Sequence, residues 1–272
     1  MKPFKHIILS FMLGMACLSF TSCVYIGGKG TTTMGGGKLH YTQADLQPKS
    51  FDKLEMNIVA DVYYKQVAGD SCSVRLDFSA IDDKQLAQTL QEKTKVLYRD
   101  GGVEVSLDGK MTVKQDLKEG KRVKVFVCSP DIKKITLEGV GLINADTIKT
   151  TELKIDNEGV GAIIVKHIQT STLNVVNEGV GQVKISSVKA DQTDLDNEGV
   201  GQIIVSAVEG NALTVCNEGV GQAIVANLKV QSLTAENEGI GKVVVAGETR
   251  TFKKNNEGFG KINGQNLKVL NK

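Results

Sequence analysis

From residue 137 onward the chain sets its apolar residues on a fixed grid. The pentapeptide "NEGVG" starts at Asn157, Asn177, Asn197 and Asn217, and returns as "NEGIG" at Asn237 and "NEGFG" at Asn256. A diverged first copy, "LEGVG", starts at Leu137, and the successive starts are spaced 20, 20, 20, 20, 20 and 19 residues. Counting each pentapeptide Asn as position 1, position 4 holds Val160, Val180, Val200, Val220 and Ile240. Position 7 holds Ile163, Val183, Ile203, Ala223 and Val243, and position 9 holds Val165, Ile185, Val205, Val225 and Val245. Position 12 is Ile168, Val188, Val208 and Leu228. Positions 17 and 19 pair Leu173 with Val175, Leu213 with Val215 and Leu233 with Ala235, Thr193 with Leu195 being the weakest pair. Residues between these columns are mostly polar. Apolar positions two apart predict strands with one buried face. A helix would need a rhythm of three to four and would not tolerate two glycines at a fixed place in each unit.

Each unit therefore predicts two short strands, a Gly-rich corner and a second turn near positions 10 to 16, which together make one coil of a β-solenoid. One coil buries too little to order itself, so it must share hydrogen bonds and apolar contact with the coils on either side. The strict spacing follows, because an inserted strand residue would turn an inward set of side chains outward. The fold class expected is all-β: a right-handed parallel β-helix with ~20-residue coils marked by the NEGVG corners, the hand being that of parallel crossovers in general. The structural corner glycines are Gly139, Gly141, Gly159, Gly161, Gly179, Gly181, Gly199, Gly201, Gly219, Gly221, Gly239, Gly241, Gly258 and Gly260. They are expected to turn the backbone with φ > 0, while Val160 and its equivalents fill the corner from inside. The Asn column is expected to form an amide ladder along the stack. Beside it runs a column of carboxylates: Glu138, Glu158, Glu178, Glu198, Glu218, Glu238 and Glu257. A solvated row is tolerable in water. The alternative is a cation row at Glu158, Glu178, Glu198, Glu218 and Glu238, since stacked carboxylates are hard-oxygen ligands, although the Asp/Gly spacing of known calcium loops is missing.

The first residues read differently. "MKPFKH" followed by "IILSFMLGMACLSF" is a cationic start and an apolar stretch too short to span a bilayer. It ends in "FTSC", which resembles a bacterial lipobox and makes Cys23 the expected lipidation site; Cys17 sits inside the apolar run. The expected organisation is a lipoprotein signal over 1–22, a Gly/Thr-rich tether over 23–50 and a single solenoid domain over 51–272, with irregular coils over 51–128 and regular repeats over 129–272. "FDKLEMNIVADVYYKQV", "CSVRLDF", "GGVEVSL" and "KRVKVFV" alternate as strands; residues 83–99 are ambiguous, with helical spacing in the first half and a second half open to a strand. Cys72, Cys128 and Cys216 match no metal spacing; buried free thiols and a Cys72–Cys128 bridge both remain open.

Taking Lys2 and Lys5 with the signal from the 33 basic residues leaves 31, equal to the 31 acidic ones. That balance excludes the basic footprint of a nucleic-acid binder. The lipoprotein signal, the "FDKLEMNIVADVYYKQV" start, "VCSPDIKKITLEGVG" and the Gly-x-Gly corners together resemble the auto-transporter adhesin head GIN domain family, over roughly residues 51–262. The resemblance implies a right-handed parallel β-helix similar to the pectin-lyase group, without conserved catalytic residues, and a role in adhesion or another cell-surface task. This chain carries Val, Ile or Phe between the corner glycines where that family often has Ser, which makes its corners more apolar. The expected function is a non-enzymatic, lipid-anchored envelope protein, held by its lipid at the outer membrane on the periplasmic or surface side, that binds a surface glycan or protein without a cofactor or metal. The alternative is a polysaccharide-active enzyme of pectin-lyase-like type, but near-copies of one unit supply no unique constellation of groups. His6, His40 and His167 lie in the signal, the tether and beside a turn, and any singular site falls in 51–128, where Asp61, Tyr63 and Tyr64 cluster.

Overall fold

The computed structural model describes residues 50–70, 72–109, 111–113 and 121–270, and the backbone of two more strands, Tyr25–Gly27 and Thr31–Met34. Cys17, Cys23, His6 and His40, and with them the signal and the lipidation site, lie outside the described residues. The two short strands fall in the stretch read as a tether; they pair antiparallel with each other, and the second pairs with Met111–Val113.

The chain forms a parallel β-solenoid of about 7 turns. Strands Val160–Asn177, Val180–Asn197, Val200–Asn217 and Val220–Asn237 stack in register, each residue opposite the one 20 positions on. The two short strands per coil expected from the sequence are instead one strand of 18 residues, bent but hydrogen-bonded through its turns. The bend is possible because every coil bends at the same place, so the backbone ladder resumes in register beyond each turn. Inward positions 7, 9, 12, 17 and 19 fill the interior, with Ile163, Val165, Val183, Ile185, Val205 and Val215 fully enclosed. Position 14, which the grid missed because its residues differ in polarity, also points inward: Ala190, Val230 and Thr249 are buried there.

The 19-residue step is taken up at one bend. Val225 faces Val245 and Leu228 faces Gly247, so the residue is lost between strands' straight parts and both faces keep their sides. Gly247 has φ 125°, and a Cβ there would overlap the backbone of Leu228.

Coil order departs from chain order at the N-terminal end. Lys53–Met56 lies between Lys134–Leu137 and Gly102–Leu107, and Val59–Gln66 lies between Val140–Lys149 and Val123–Ser129. The first coil of the chain is thus the second from the end of the stack. Antiparallel strands Thr94–Arg99 and Ser73–Asp77 finish that end, and a helix, Lys84–Lys93, closes it with Leu90 buried and Leu86 and Ala87 against the core. Asp83 caps the helix, its carboxylate accepting from the backbone N–H groups of Gln85 and Leu86 at 3.0 Å each.

Candidate binding surface

The corner is built from glycine for the reason expected at one position of each pair and for a second reason at both. Only the second glycine of each pair has a positive φ, 154° at Gly161 and 156° at Gly201. At both positions the decisive constraint is axial: a Cβ on Gly159 would overlap the carbonyl oxygen of Gly139, and one on Gly161 that of Gly141. Each corner rests directly on the backbone of the last. Both Glu178 and Gly179 donate their N–H to Asn157 O, at 3.0 and 2.8 Å, and the pattern recurs at the next four corners.

Inside the corner stands the amide ladder. Asn157 Nδ2 donates to Asn177 Oδ1 at 2.6 Å, Asn177 to Asn197 at 2.7 Å, Asn197 to Asn217 at 2.8 Å, Asn217 to Asn237 at 3.0 Å and Asn237 to Asn256 at 2.9 Å. The five donors are fully buried. All point the same way, so each amide polarises the next. Asn157 Oδ1 ends the row unpaired, because Leu137 precedes it in the column.

With the amide inside, the residue between the glycines goes outward, which corrects the expectation that Val160 and its equivalents fill the corner. Val140 is covered by its neighbours and Val160 partly so, but Val200 is 53% exposed and Phe259 79%, with Val180, Val220 and Ile240 near half. These side chains form a ridge beside a trough floored by glycine backbone. The trough over Gly141, Gly161, Gly181 and Gly201 has a volume of about 570 Å³ and is walled by Gln182, Gln202 and Gln222, with Arg122 at one end. Gln222 donates to Gln202 at 3.0 Å, and Gln202 to Gln182 at 3.5 Å.

Two residues further along each strand the outward face carries a continuous row in register: Arg75, Phe126, Tyr63, Asn144, Ile164, Lys184, Ile204, Ile224 and Val244. Tyr63, 39% exposed, stacks on Phe126 at 5.3 Å between centroids, and the Arg75 guanidinium lies 4.1 Å over the Phe126 ring. Alternation separates Tyr64 from Tyr63 and leaves Asp61 on the Tyr63 side. Tyr64 is buried on the other side, bonded to Ser129 Oγ at 3.0 Å, and burial pushes its hydroxyl up to about 12. Asp61 is buried and paired with Arg122 at 3.1 Å. His167 is exposed at a bend, 2.8 Å from Ser187 Oγ. Cys72, Cys128 and Cys216 are all free thiols, so the Cys72–Cys128 bridge does not form.

The carboxylate column lies on the opposite flank of the ridge. Glu158, Glu178, Glu198, Glu218, Glu238 and Glu257 are exposed. Glu138, half-buried, is pushed up to about 8 by desolvation, by the charges of Glu55 and Glu158 and by its hydrogen bond with Glu55; Glu55 is itself raised, first by burial and then by Glu104. Glu104 pairs with Arg99, and Asp156 takes Lys154 and Lys134 at 3.0 and 3.3 Å. One grouping no spacing rule could find joins adjacent coils: ligand atoms of Asp196, Cys216 and Glu218 lie within 4.8 Å of one another. Burial raises Asp196 to about 6 and the Cys216 thiol to about 12, the surrounding carboxylates adding to both. A thiol held protonated there is a poor ligand.

No helix among the described residues is long and apolar enough to cross a membrane. Comparison with curated protein sequences returns no match. Among solved structures, the chain is similar to a putative adhesin from Bacteroides fragilis, at 23% identity and a TM-score of 0.68, over 87% of this chain and 97% of that one. It is also similar to putative adhesins from Parabacteroides distasonis (13% identity, TM-score 0.54, 86% and 95% covered) and Parabacteroides merdae (15%, 0.51, 89% and 96%). At these identities the likeness carries the fold. A family profile matches residues 50–223 directly, and by that match the chain belongs to the family described as "Putative auto-transporter adhesin, head GIN domain".

Proposed function

We propose that the chain is a non-enzymatic, lipid-anchored envelope protein whose solenoid binds an extended glycan or protein partner along its outward sheet face. The lipobox-like sequence ending at Cys23 supports the anchor, and the adhesin family supports the cell-surface role. The observation that carries the binding surface is the row led by the Tyr63–Phe126 stack. It offers an aromatic platform, an adjacent amide at Asn144, and aliphatic steps at Ile164, Ile204 and Ile224. Apolar sugar faces or peptide side chains pack on such rings, and polar neighbours fix their orientation. Repetition suits adhesion: many equal weak contacts sum along a polymer without one catalytic constellation.

The test is retention of the purified protein on arrays of cell-surface glycans and envelope proteins. Tyr63→Ala should weaken capture about tenfold or more, as loss of an aromatic anchor does, and Ile204→Asp should weaken it too. Release of new reducing ends from a captured glycan would overturn the non-enzymatic reading. Unchanged capture in both variants would remove this face as the binding surface.

A further inference from the structure

We infer that the corner ridge is a self-association seam, closed in the active assembly by a second copy of this chain lying parallel to the first. Four neighbouring coils present Val180, Val200, Val220 and Ile240 about half exposed, and the last coil adds Phe259. At one coil per ~4.8 Å the ridge runs about 19 Å without a polar break. Lines of exposed apolar side chains of this kind mark interaction sites.

The corner's own relief selects the occupant. A ridge of branched side chains stands beside a trough whose floor is glycine backbone. A twofold axis parallel to the solenoid, set between ridge and trough, drops each copy's ridge into the other's trough. Equal coils then sit at equal height, as an isologous contact requires. The same rotation carries the carboxylate column of one copy to the outer wall of the other's trough. That wall is Gln182, Gln202 and Gln222 over three coils and Lys242 and Lys261 over the last two. Glu178, Glu198 and Glu218 therefore meet amide donors, and Glu238 and Glu257 meet lysines. An axis perpendicular to the solenoid would instead set carboxylate against carboxylate. The chain is thus complementary to itself in one orientation, and in that orientation both N-termini leave at the same end.

The experiment is sedimentation of the full chain over a concentration series. The unaltered chain should show a monomer–dimer equilibrium. Val220→Glu should raise the dissociation constant on the order of thirtyfold or more, as loss of a central apolar contact does. Glu238→Lys with Glu257→Lys should raise it about tenfold by setting lysine against lysine, and adding Lys242→Glu with Lys261→Glu should restore it. The restored quadruple variant also separates charge register from misfolding. A chain that stays monomeric at every concentration overturns the proposal. So does tighter association of the Glu238→Lys, Glu257→Lys variant, which marks the antiparallel arrangement.

Discussion

A single β-carbon separates a stackable corner from an impossible one. Gly201 sits so close to the coil before it that a methyl group would overlap the carbonyl oxygen of Gly181, and backbone cannot yield as a flexible side chain would. Gly201→Ala should therefore cost more than the ~1 kcal/mol of an ordinary glycine replacement, roughly 3 kcal/mol or more, read as a lower urea midpoint; a loss under ~1 kcal/mol would contradict the close approach. Glu138 gives a second residue-scale prediction. In the folded chain it holds its proton up to about pH 8, whereas its ordinary value is 4.5. Between those values the folded state binds more protons than the unfolded one, so stability falls as pH rises and the loss is complete above about 8. Glu138→Gln should melt higher than the unaltered chain at pH 9, and the two curves should converge near pH 4.5. The asparagine and glycine columns were legible as columns, because identical residues recur at one interval. The direction of the position-4 side chain was not. An apolar residue between glycines reads as buried, and only the amide occupying the interior forces Val200 outward.

At the scale of elements, alternation located the strands well, since one side of every strand is enclosed. It could not count them, because a bend that keeps its hydrogen bonds leaves no mark distinct from a turn. Residues 83–99, ambiguous in the sequence, divide into helix Lys84–Lys93 and strand Thr94–Arg99. The boundary follows from the Asp83 cap and from β-branched and aromatic residues after Thr94. This helix covers interior surface that a further coil would otherwise bury, so its stability bears on the end of the stack. Asp83→Ala should cost about 0.5–2 kcal/mol and raise hydrogen exchange first in Lys84–Lys93, ahead of the regular coils. Exchange rising uniformly along the chain would show that the helix is no separate unit. The insertion of Lys53–Met56 between later strands was invisible beforehand, because pairing order among irregular strands leaves no periodic trace.

Over the whole molecule, each coil is held by its neighbours, so the number of coils is a variable, whereas the length of a coil can change only at a bend. Deleting residues 197–216 joins Asp196 to Asn217 and returns every column to register. The shortened chain should fold with unchanged β-sheet circular dichroism and a urea m-value lower by roughly a tenth. Deleting 197–215 leaves one residue too many between Leu195 and Asn217, in the strand leading into the corner and away from the bend that absorbs the 19-residue step. It should lower the urea midpoint well below that of the 197–216 deletion, since side chains there would change faces. The outward row from Arg75 to Val244 also exists only at this scale: its members come from separate coils, two of them out of chain order, and share no local motif. The one bend between Val225 and Leu228 that absorbs a missing residue has a wider consequence. Height along the axis is counted in whole rungs, whereas small errors in perimeter are discharged at a bend before they reach the next storey. Such a molecule can gain or lose reach in steps of one strand spacing, keeping its interior and its outward columns as they are.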